Sequence, residues 1–155
     1  MSYQIVCLHD GSKGSDAALD KAIEKAKRLQ NKSENVEIKI PYIIDRDKPL
    51  NVYSIFNFEP DLEKVEKSLN KIKEKLLNEN IQCNYEMIQG PFIQIIQSLK
   101  CDEIFIGQDV SYNNNSLIKP YDEFVIKRVD CVVTLIRYNH ETHQICGMIK
   151  VDLNM

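Results

Sequence analysis

Apolar positions along the chain follow two spacings, one typical of strands and one typical of helices. Residues 3–9 form a short, almost continuous apolar run of strand length, and a segment with apolar side chains every three or four residues follows from Ser15 onward. The apolar stripe of that segment consists of Ala18, Leu19, Ala22, Ile23, Ala26 and Leu29. Charged side chains fill its other faces, so the spacing predicts an amphipathic helix that packs one face on a sheet.

The same alternation of strand and helix repeats toward the C-terminus. Further strands are predicted over residues 36–44, 82–89, 103–107 and 131–137. Further helices are predicted over residues 60–76, 91–99 and 120–129. Strands that alternate with helices favour βαβ units and a mostly parallel sheet. We therefore expect an α/β fold, a three-layer sandwich in which about four helices cover a five-stranded, mostly parallel, doubly wound (Rossmann-like) sheet.

Two segments exceed what this core needs. Residues 45–60 contain two prolines and several large apolar side chains, so we expect a packed loop that folds back over the sheet edge. Residues 138–155 follow the fifth strand, and their stretch 144–153 predicts an extra strand or hairpin that covers an edge or exchanges with a partner chain. The expected organisation is one core domain, residues 1–137, followed by a C-terminal extension, residues 138–155.

Length and charge narrow the classes of function. A chain of 155 residues with 43% hydrophobic and 28% charged residues is typical of one globular domain. Its net charge of −3 gives no electrostatic basis for binding nucleic acid or an anionic membrane. No run approaches the roughly 18 apolar residues of a membrane span, and no secretory signal pattern follows Met1. We expect a cytoplasmic protein.

The cysteines do not predict a metal site or a disulfide framework. There are five, an odd number, without CxxC spacing and without the histidines that complete a zinc site. Cys7, Cys83 and Cys131 fall in predicted strands and are interpreted as small buried side chains. Cys101 and Cys146 are the candidates for reactive thiols, although no neighbouring residue in the sequence activates them. No metal is expected.

Residues 10–14, Asp-Gly-Ser-Lys-Gly, predict a tight turn between the first strand and the first helix. This corner places backbone N–H groups and the positive end of a helix where open α/β folds hold anionic ligands. Asp10 has a second interpretation, as a turn residue that hydrogen-bonds its own backbone. His9 precedes it, and adjacent strand residues point to opposite faces, so we interpret His9 as a packed or surface side chain and not as a catalytic base.

Motifs of the common nucleotide enzymes are missing from the sequence. It contains neither a Walker loop nor a GxGxxG fingerprint. The corner also lacks the paired glycines of the Ser-Gly-Gly-x-Asp-Ser loop found in adenylating enzymes, and no second cluster of Asp, Lys and Arg follows it. We therefore expect no catalytic residues, and a function other than that of an enzyme.

In its motifs the chain resembles the universal stress protein family over residues 3 to 137. The opening carries the family's Asp-Gly-Ser turn and its Ala-Leu-x-x-Ala helix at the expected spacing, here Asp10-Gly11-Ser12, Ser15, Ala18-Leu19 and Ala22. Later landmarks are Gly90-Pro91, Ile104-Phe-Ile-Gly107 and Cys131-Val-Val. The resemblance implies the same doubly wound fold, and it implies a nucleotide pocket at the first corner.

The chain departs from the ATP-binding members of that family in the loop after the fourth strand. Those members carry Gly, two residues, Gly, nine residues, then Gly followed by Ser or Thr. Here Gly107 matches the first position, but Val110 stands at the second and Pro120-Tyr121 at the last pair. Valine is β-branched and proline has no N–H donor, so a phosphate cradle made of backbone amides is not expected in its usual form.

The resemblance also implies which residues would form a cofactor site for ATP. Asp10, with Gly11 and Ser12, would lie beside the adenine or ribose, and the main chain at Ile43 would meet the base. Gly107 would match the first glycine of the family's phosphate loop. Independently of the resemblance, a different loop geometry could supply hydrogen bonds to phosphate from Ser111, Asn113, Asn114, Asn115 and Ser116.

Two hypotheses about function follow. The first is a non-catalytic regulatory or interaction domain with a degraded ATP-binding loop; the alternative is an adenine-nucleotide-binding stress-response switch with at most slow ATP hydrolysis. Both include a homodimer, which in this family commonly forms through the fifth strand, here Val132–Ile136, and an unidentified protein partner.

Overall fold

A computed structural model describes residues 2–9, 13–44, 62–89, 94, 97–110, 129, 131–139 and 141–152. The elements in chain order are β1 (Tyr3–Leu8), α1 (Lys13–Asn31), β2 (Val36–Ile44), α2 (Leu62–Asn78), β3 (Gln82–Gln89), β4 (Glu103–Val110), β5 (Val132–Asn139) and β6 (Gln144–Val151). The predicted loop at 45–60, most of the predicted helix at 91–99 and nearly all of the one at 120–129 lie outside the described residues.

The strands form one sheet in the order β3-β2-β1-β4-β5-β6. The strands β1 to β5 all run parallel to one another, and β6 runs antiparallel to β5. The α/β, mostly parallel, Rossmann-like fold is therefore confirmed, with six strands in the sheet where five were expected. Strand order reverses between β1 and β4, and in open α/β sheets ligands bind beyond the carboxyl ends of the strands at such a reversal.

Alternating side chains divide the strands between two cores, one on each face of the sheet. The face under α1 and α2 buries residues from both helices together with Ile5, Cys7, Ile38, Ile40, Phe105 and Ile136. Small residues on α1, among them Ala18, Ala22 and Ala26, are fully buried and let the helix approach β1 and β4 closely. The opposite face buries Val6, Leu8, Ile104, Ile106, Val133 and Leu135.

Two strands are longer at their carboxyl ends than the sequence predicted. β4 continues past Gly107 through Val110, where a polar loop was expected from Gln108, and β5 continues to Asn139. Their last residues pair with one another, as Asp109 with Tyr138 and Val110 with Asn139. Pairing with β5 along the whole segment, and a β-branched residue at its end, favour a strand. They outweigh the polar composition, which on its own favours a loop. The expected domain boundary at residue 137 therefore falls inside β5.

β5 has no free edge in this chain. β4 pairs with it along one side and β6 along the other, for example Leu135 with Ile149 and Ile136 with Met148. The strand Val132–Ile136, through which a homodimer was expected, is therefore not an exposed edge in the folded chain. Neither α1 nor α2, the helices within the described ranges, has the length and apolar character that crossing a membrane requires.

Candidate functional site

The candidate site lies at the carboxyl-terminal edge of the sheet, where β1, β2 and β4 end and α1 begins. Two of the eight predicted site residues are within the described part of the chain. Ile43 lies near the end of β2, paired with Ile88, and Gly107 lies in β4, paired with Ile136. The other six are outside the described residues, namely Asp10, Gly11, Ser12, Ser111, Asn115 and Ser116.

Gly107 touches the first turn of α1 backbone to backbone. A Cβ atom placed on Gly107 would lie 2.0 Å from the carbonyl oxygen of Gly14 and 2.5 Å from the amide nitrogen of Ser15. Both distances are far shorter than a carbon atom can approach another heavy atom without a bond, so only glycine fits. Gly107 therefore fixes the N-terminus of α1 directly on β4, and this contact accounts for a glycine here without any ligand.

His9 closes the corner between β1 and α1. Its Nε2 lies 2.8 Å from Oδ1 of Asp16, and the ring is buried while Asp16 is exposed in the first turn of α1. The interpretation of His9 as a packed side chain is confirmed. The sequence pointed to the neighbouring Asp10 as the partner to consider for His9. Asp16 was missed because it is seven residues away and meets His9 only in the folded chain.

Polar side chains line the carboxyl-terminal part of β4 and β5. Gln108 is buried and lies opposite Arg137 in the parallel ladder. Within the described residues the Nε atom of Arg137 is buried without a hydrogen-bond partner, and its aliphatic stem lies against Gly147 of β6. Arg137 is a cationic group that was not among the predicted site residues. Nothing in the sequence shows that β5 pairs with β4 and so brings Arg137 beside Gln108.

A second polar cluster lies at the opposite, amino-terminal edge of the sheet. Its centre is the buried carboxylate of Glu103, which pairs with Lys25 of α1. The Thr134 hydroxyl donates to its Oε2 over 2.5 Å, the Tyr3 hydroxyl donates to its Oε1 over 3.1 Å, and Lys150 Nζ lies 4.0 Å from Oε2. The cluster, named here the Glu103 cluster, joins α1 to four strands.

The charge state of Glu103 follows from these contacts. Burial by itself raises the pKa of the carboxyl group, but the hydrogen bonds from Lys25 and Thr134 and the positive charge of Lys25 outweigh burial and hold the pKa below its ordinary value of 4.5. Glu103 is therefore ionised at neutral pH. The cluster lies at the amino-terminal ends of the strands, opposite the carboxyl-terminal edge where ligands bind in such folds, so its role is to hold the sheet and α1 together.

One cavity among the described residues lies away from the candidate site. It has a volume of about 550 Å³ and is lined by the ends of α1 and α2 and the starts of β2 and β3, including Gln30, Glu34 and Leu77. It lies at the amino-terminal edge of the sheet. Nothing in its lining forms a convergent set of charged groups, so it does not compete with the candidate site.

Comparison with solved structures returns universal stress proteins. UspA from Lactobacillus plantarum superposes with a TM-score of 0.63 at 14% identity, covering 87% of this chain and 96% of that chain. A family member from Arabidopsis thaliana with AMP bound gives 0.58 at 14% identity, covering 90% and 94%. A universal stress protein in complex with cAMP gives 0.53 at 15% identity, covering 86% and 96%.

The resemblance indicated by the motifs of the first strand and helix is thus confirmed at the level of the fold. No protein-family model matches the sequence, and no curated protein matches it.

Proposed function

We propose that the chain is a UspA-like regulatory or interaction domain, without catalytic activity, whose loop after β4 has lost the ATP-binding form of the family. In this proposal residues 1–137 correspond to the universal-stress-protein domain. Residues 138–155 are an addition to it, and they supply the last two residues of β5 and the whole of β6. The domain acts in the cytoplasm through contacts with an unidentified protein partner.

The observation that carries the proposal is the length of β4. The ATP-binding members that the chain resembles carry a glycine three residues after the position of Gly107, and glycine allows a positive φ or a close approach of the backbone there. Here that position is Val110, which lies in a regular strand and pairs with Asn139. Valine disfavours the backbone conformations that glycine allows. The main chain therefore continues along β5 at the point where a phosphate loop would begin.

The alternative function, an adenine-nucleotide switch with at most slow hydrolysis, is also supported by specific observations. The solved structures with bound AMP and cAMP share this fold. Arg137 contributes a positive charge at the carboxyl-terminal edge, with a buried Nε that has no partner among the described residues. A guanidinium in that position suits a phosphate or another planar anion.

Calorimetric titration with ATP and AMP decides between these functions. We expect no heat of binding for the natural chain at ligand concentrations up to about 1 mM, which corresponds to a binding free energy weaker than about −4 kcal/mol. The triple variant Val110→Gly/Pro120→Gly/Tyr121→Ser restores the spacing of the nucleotide-binding members. It should bind ATP at least roughly tenfold more tightly than the natural chain, a gain of about 1.4 kcal/mol.

The matched control carries alanine at the same three positions, which removes the valine and proline without supplying glycine. Melting curves of all variants show whether each is folded. Nucleotide co-purified with the natural chain, or micromolar affinity for ATP, would contradict the degraded loop and favour the switch. ATP hydrolysis that is lost on Asp10→Ala would place the protein among enzymes.

The homodimer stays a prediction, but the expected dimer surface moves from β5 to β6. We propose that two copies meet at β6, because β6 now forms the sheet edge beside β5. Ile145 and Met148 on this strand expose 40% and 61% of their surface, and an exposed apolar edge strand is a ready surface for pairing.

Light scattering tests this surface. We expect a dimer for the natural chain and a monomer for Ile145→Lys/Met148→Lys, because two charges on the edge strand oppose pairing. Leu77→Lys is the matched control, since Leu77 on α2 is 63% exposed and lies away from β6. A natural chain that is monomeric at every concentration, or one whose dimer responds only to Leu77→Lys, would rule out the β6 surface.

A further inference from the structure

Two cysteines from distant parts of the chain lie side by side at the amino-terminal edge of the sheet. The Sγ atoms of Cys101 and Cys131 are 3.4 Å apart, and both side chains are half-buried against the core that faces away from α1. Neither cysteine is part of a disulfide. The sequence did not predict this contact, because 30 residues separate the two cysteines.

The backbone on both sides of the pair is fixed by the sheet. Cys101 precedes Asp102, whose N–H donates to the Gln4 carbonyl over 2.8 Å, and whose carboxylate accepts from the Gln4 N–H over 2.7 Å. Cys131 immediately precedes β5, whose first residue Val132 lies opposite Glu103. The two cysteines therefore stand at the starts of neighbouring parallel strands, and they cannot drift apart while the sheet is intact.

This placement meets the geometric needs of a disulfide. In the register of β4 with β5, Cys131 is level with Asp102, one residue beyond Cys101. A strand spacing of about 4.8 Å and a rise of about 3.3 Å per residue therefore put the two Cα atoms roughly 5.8 Å apart, within the range of roughly 4.4 to 6.8 Å that disulfide-bonded Cα atoms span. The sulfur atoms must approach by about 1.3 Å to reach the bond length of about 2.05 Å. Rotation of the two side chains can supply an approach of that size without moving the strands.

We propose that Cys101 and Cys131 form a reversible intramolecular disulfide when the protein meets a low-molecular-weight disulfide such as oxidised glutathione. One thiol, after losing its proton, attacks the oxidant and releases the first glutathione thiol; the other then attacks the mixed disulfide and releases the second. The two protein thiols are oxidised, the oxidant is reduced to two thiols, and the two protons remain with the products.

The environment of the pair sets the speed of this reaction. The hydrogen bond to Cys131 and burial both raise the pKa of the Cys101 thiol above its ordinary value, so the reactive thiolate is scarce at neutral pH. Exposed Cys146 on β6 is more accessible to oxidants. Bond formation between Cys101 and Cys131 is therefore slow, and the pair stays reduced unless the oxidising conditions persist.

The bond would close the segment 101–131, which contains β4. A cross-link restricts the unfolded chain more than the folded one, and the effect grows with the length of the closed segment. Oxidation should therefore stabilise the fold. This inference does not depend on whether the loop binds a nucleotide.

The experiment compares the natural chain with Cys101→Ser, Cys131→Ser and Cys146→Ser after incubation with oxidised glutathione. Free thiols are then blocked with N-ethylmaleimide, and peptide mapping without reduction locates any disulfide. We expect a peptide pair linked through Cys101 and Cys131 in the natural chain and in Cys146→Ser. In the other two variants the remaining thiol of the pair should carry glutathione.

Melting curves supply an independent readout. Oxidation should raise the melting temperature of the natural chain and of Cys146→Ser by on the order of 10 °C, reversed by dithiothreitol. Cys101→Ser and Cys131→Ser should show no such rise, whatever their starting stability. A map that shows only glutathione adducts or links between chains overturns the proposal. A Cys101–Cys131 link that lowers the melting temperature overturns the stabilising role.

Discussion

Replacing Gly107 with alanine is expected to lower the free energy of unfolding by about 3 kcal/mol, at the upper end of the usual cost of overpacking. The added methyl group would overlap the backbone of Gly14 and Ser15, at 2.0 Å from the Gly14 oxygen. Backbone atoms cannot rotate away as a side chain can, so the first turn of α1 must shift from β4. Urea denaturation followed by circular dichroism measures the loss.

Gly147 supplies the matched control, because it is also a glycine in a strand. A Cβ atom there would lie 3.6 Å from Cδ of Arg137, which is ordinary contact with a flexible side chain. We expect Gly147→Ala to change the free energy of unfolding by less than about 0.5 kcal/mol. Equal losses in the two variants would show that the contact of β4 with α1 is not the cause.

Glu103→Gln is expected to destabilise the protein by about 3 kcal/mol, the lower end of the cost of breaking a buried ion pair. The substitution keeps the shape of the side chain but removes the charge that Lys25 and Lys150 face. The lower end applies because the side chain of Lys25 is 20% exposed, so its ammonium group can recover some contact with water. Denaturation at neutral pH gives the size of the loss.

The difference between the natural chain and Glu103→Gln should also depend on pH. Because the pKa of Glu103 is lower in the folded state than its ordinary 4.5, its contribution is complete above that value and disappears as the pH falls through the folded pKa. We expect a constant difference from about pH 8 to about pH 5, and a decrease below pH 4.5. A difference that stays constant down to acid unfolding would contradict the assigned charge.

Two further variants test the origin of this effect. Glu24→Gln alters an exposed carboxylate that pairs with Lys21 over 3.1 Å, and it should cost less than about 1 kcal/mol. Lys25→Met removes the partner of Glu103, and in the double variant the two losses should not add, because the groups act on each other. Additive losses would indicate that Glu103 acts through packing alone.

The sequence predicted those parts of the fold that depend on local periodicity. The stripe from Ala18 to Ala26 and the apolar run at the start of the chain define α1 and β1 without reference to the rest of the chain. The doubly wound order followed from the alternation of such segments. The assignment of Gly107 to a nucleotide site stays a prediction; the structure shows this glycine packed against the backbone of Gly14.

Contacts that depend on strand register could not be predicted in the same way. Nothing near Glu103 in the sequence indicates that Lys25 and Thr134 will surround it, since those residues come from other elements. The meeting of Cys101 and Cys131 follows only from the parallel pairing of β4 with β5. The extension of β4 to Val110 has the same origin, because a polar segment becomes a strand when a neighbouring strand supplies its hydrogen bonds.

Because β6 runs antiparallel to β5, it returns the chain from the carboxyl-terminal edge of the sheet to the amino-terminal edge. Val151 lies opposite Val133 near the start of β5, so Asp152 and Ser2 both lie at the amino-terminal edge. Three strand spacings of about 4.8 Å place them roughly 15 Å apart. A fluorophore, an affinity tag or a tether attached at either position would therefore project away from the edge where a nucleotide would bind, and both could be used in one binding assay without obstructing it.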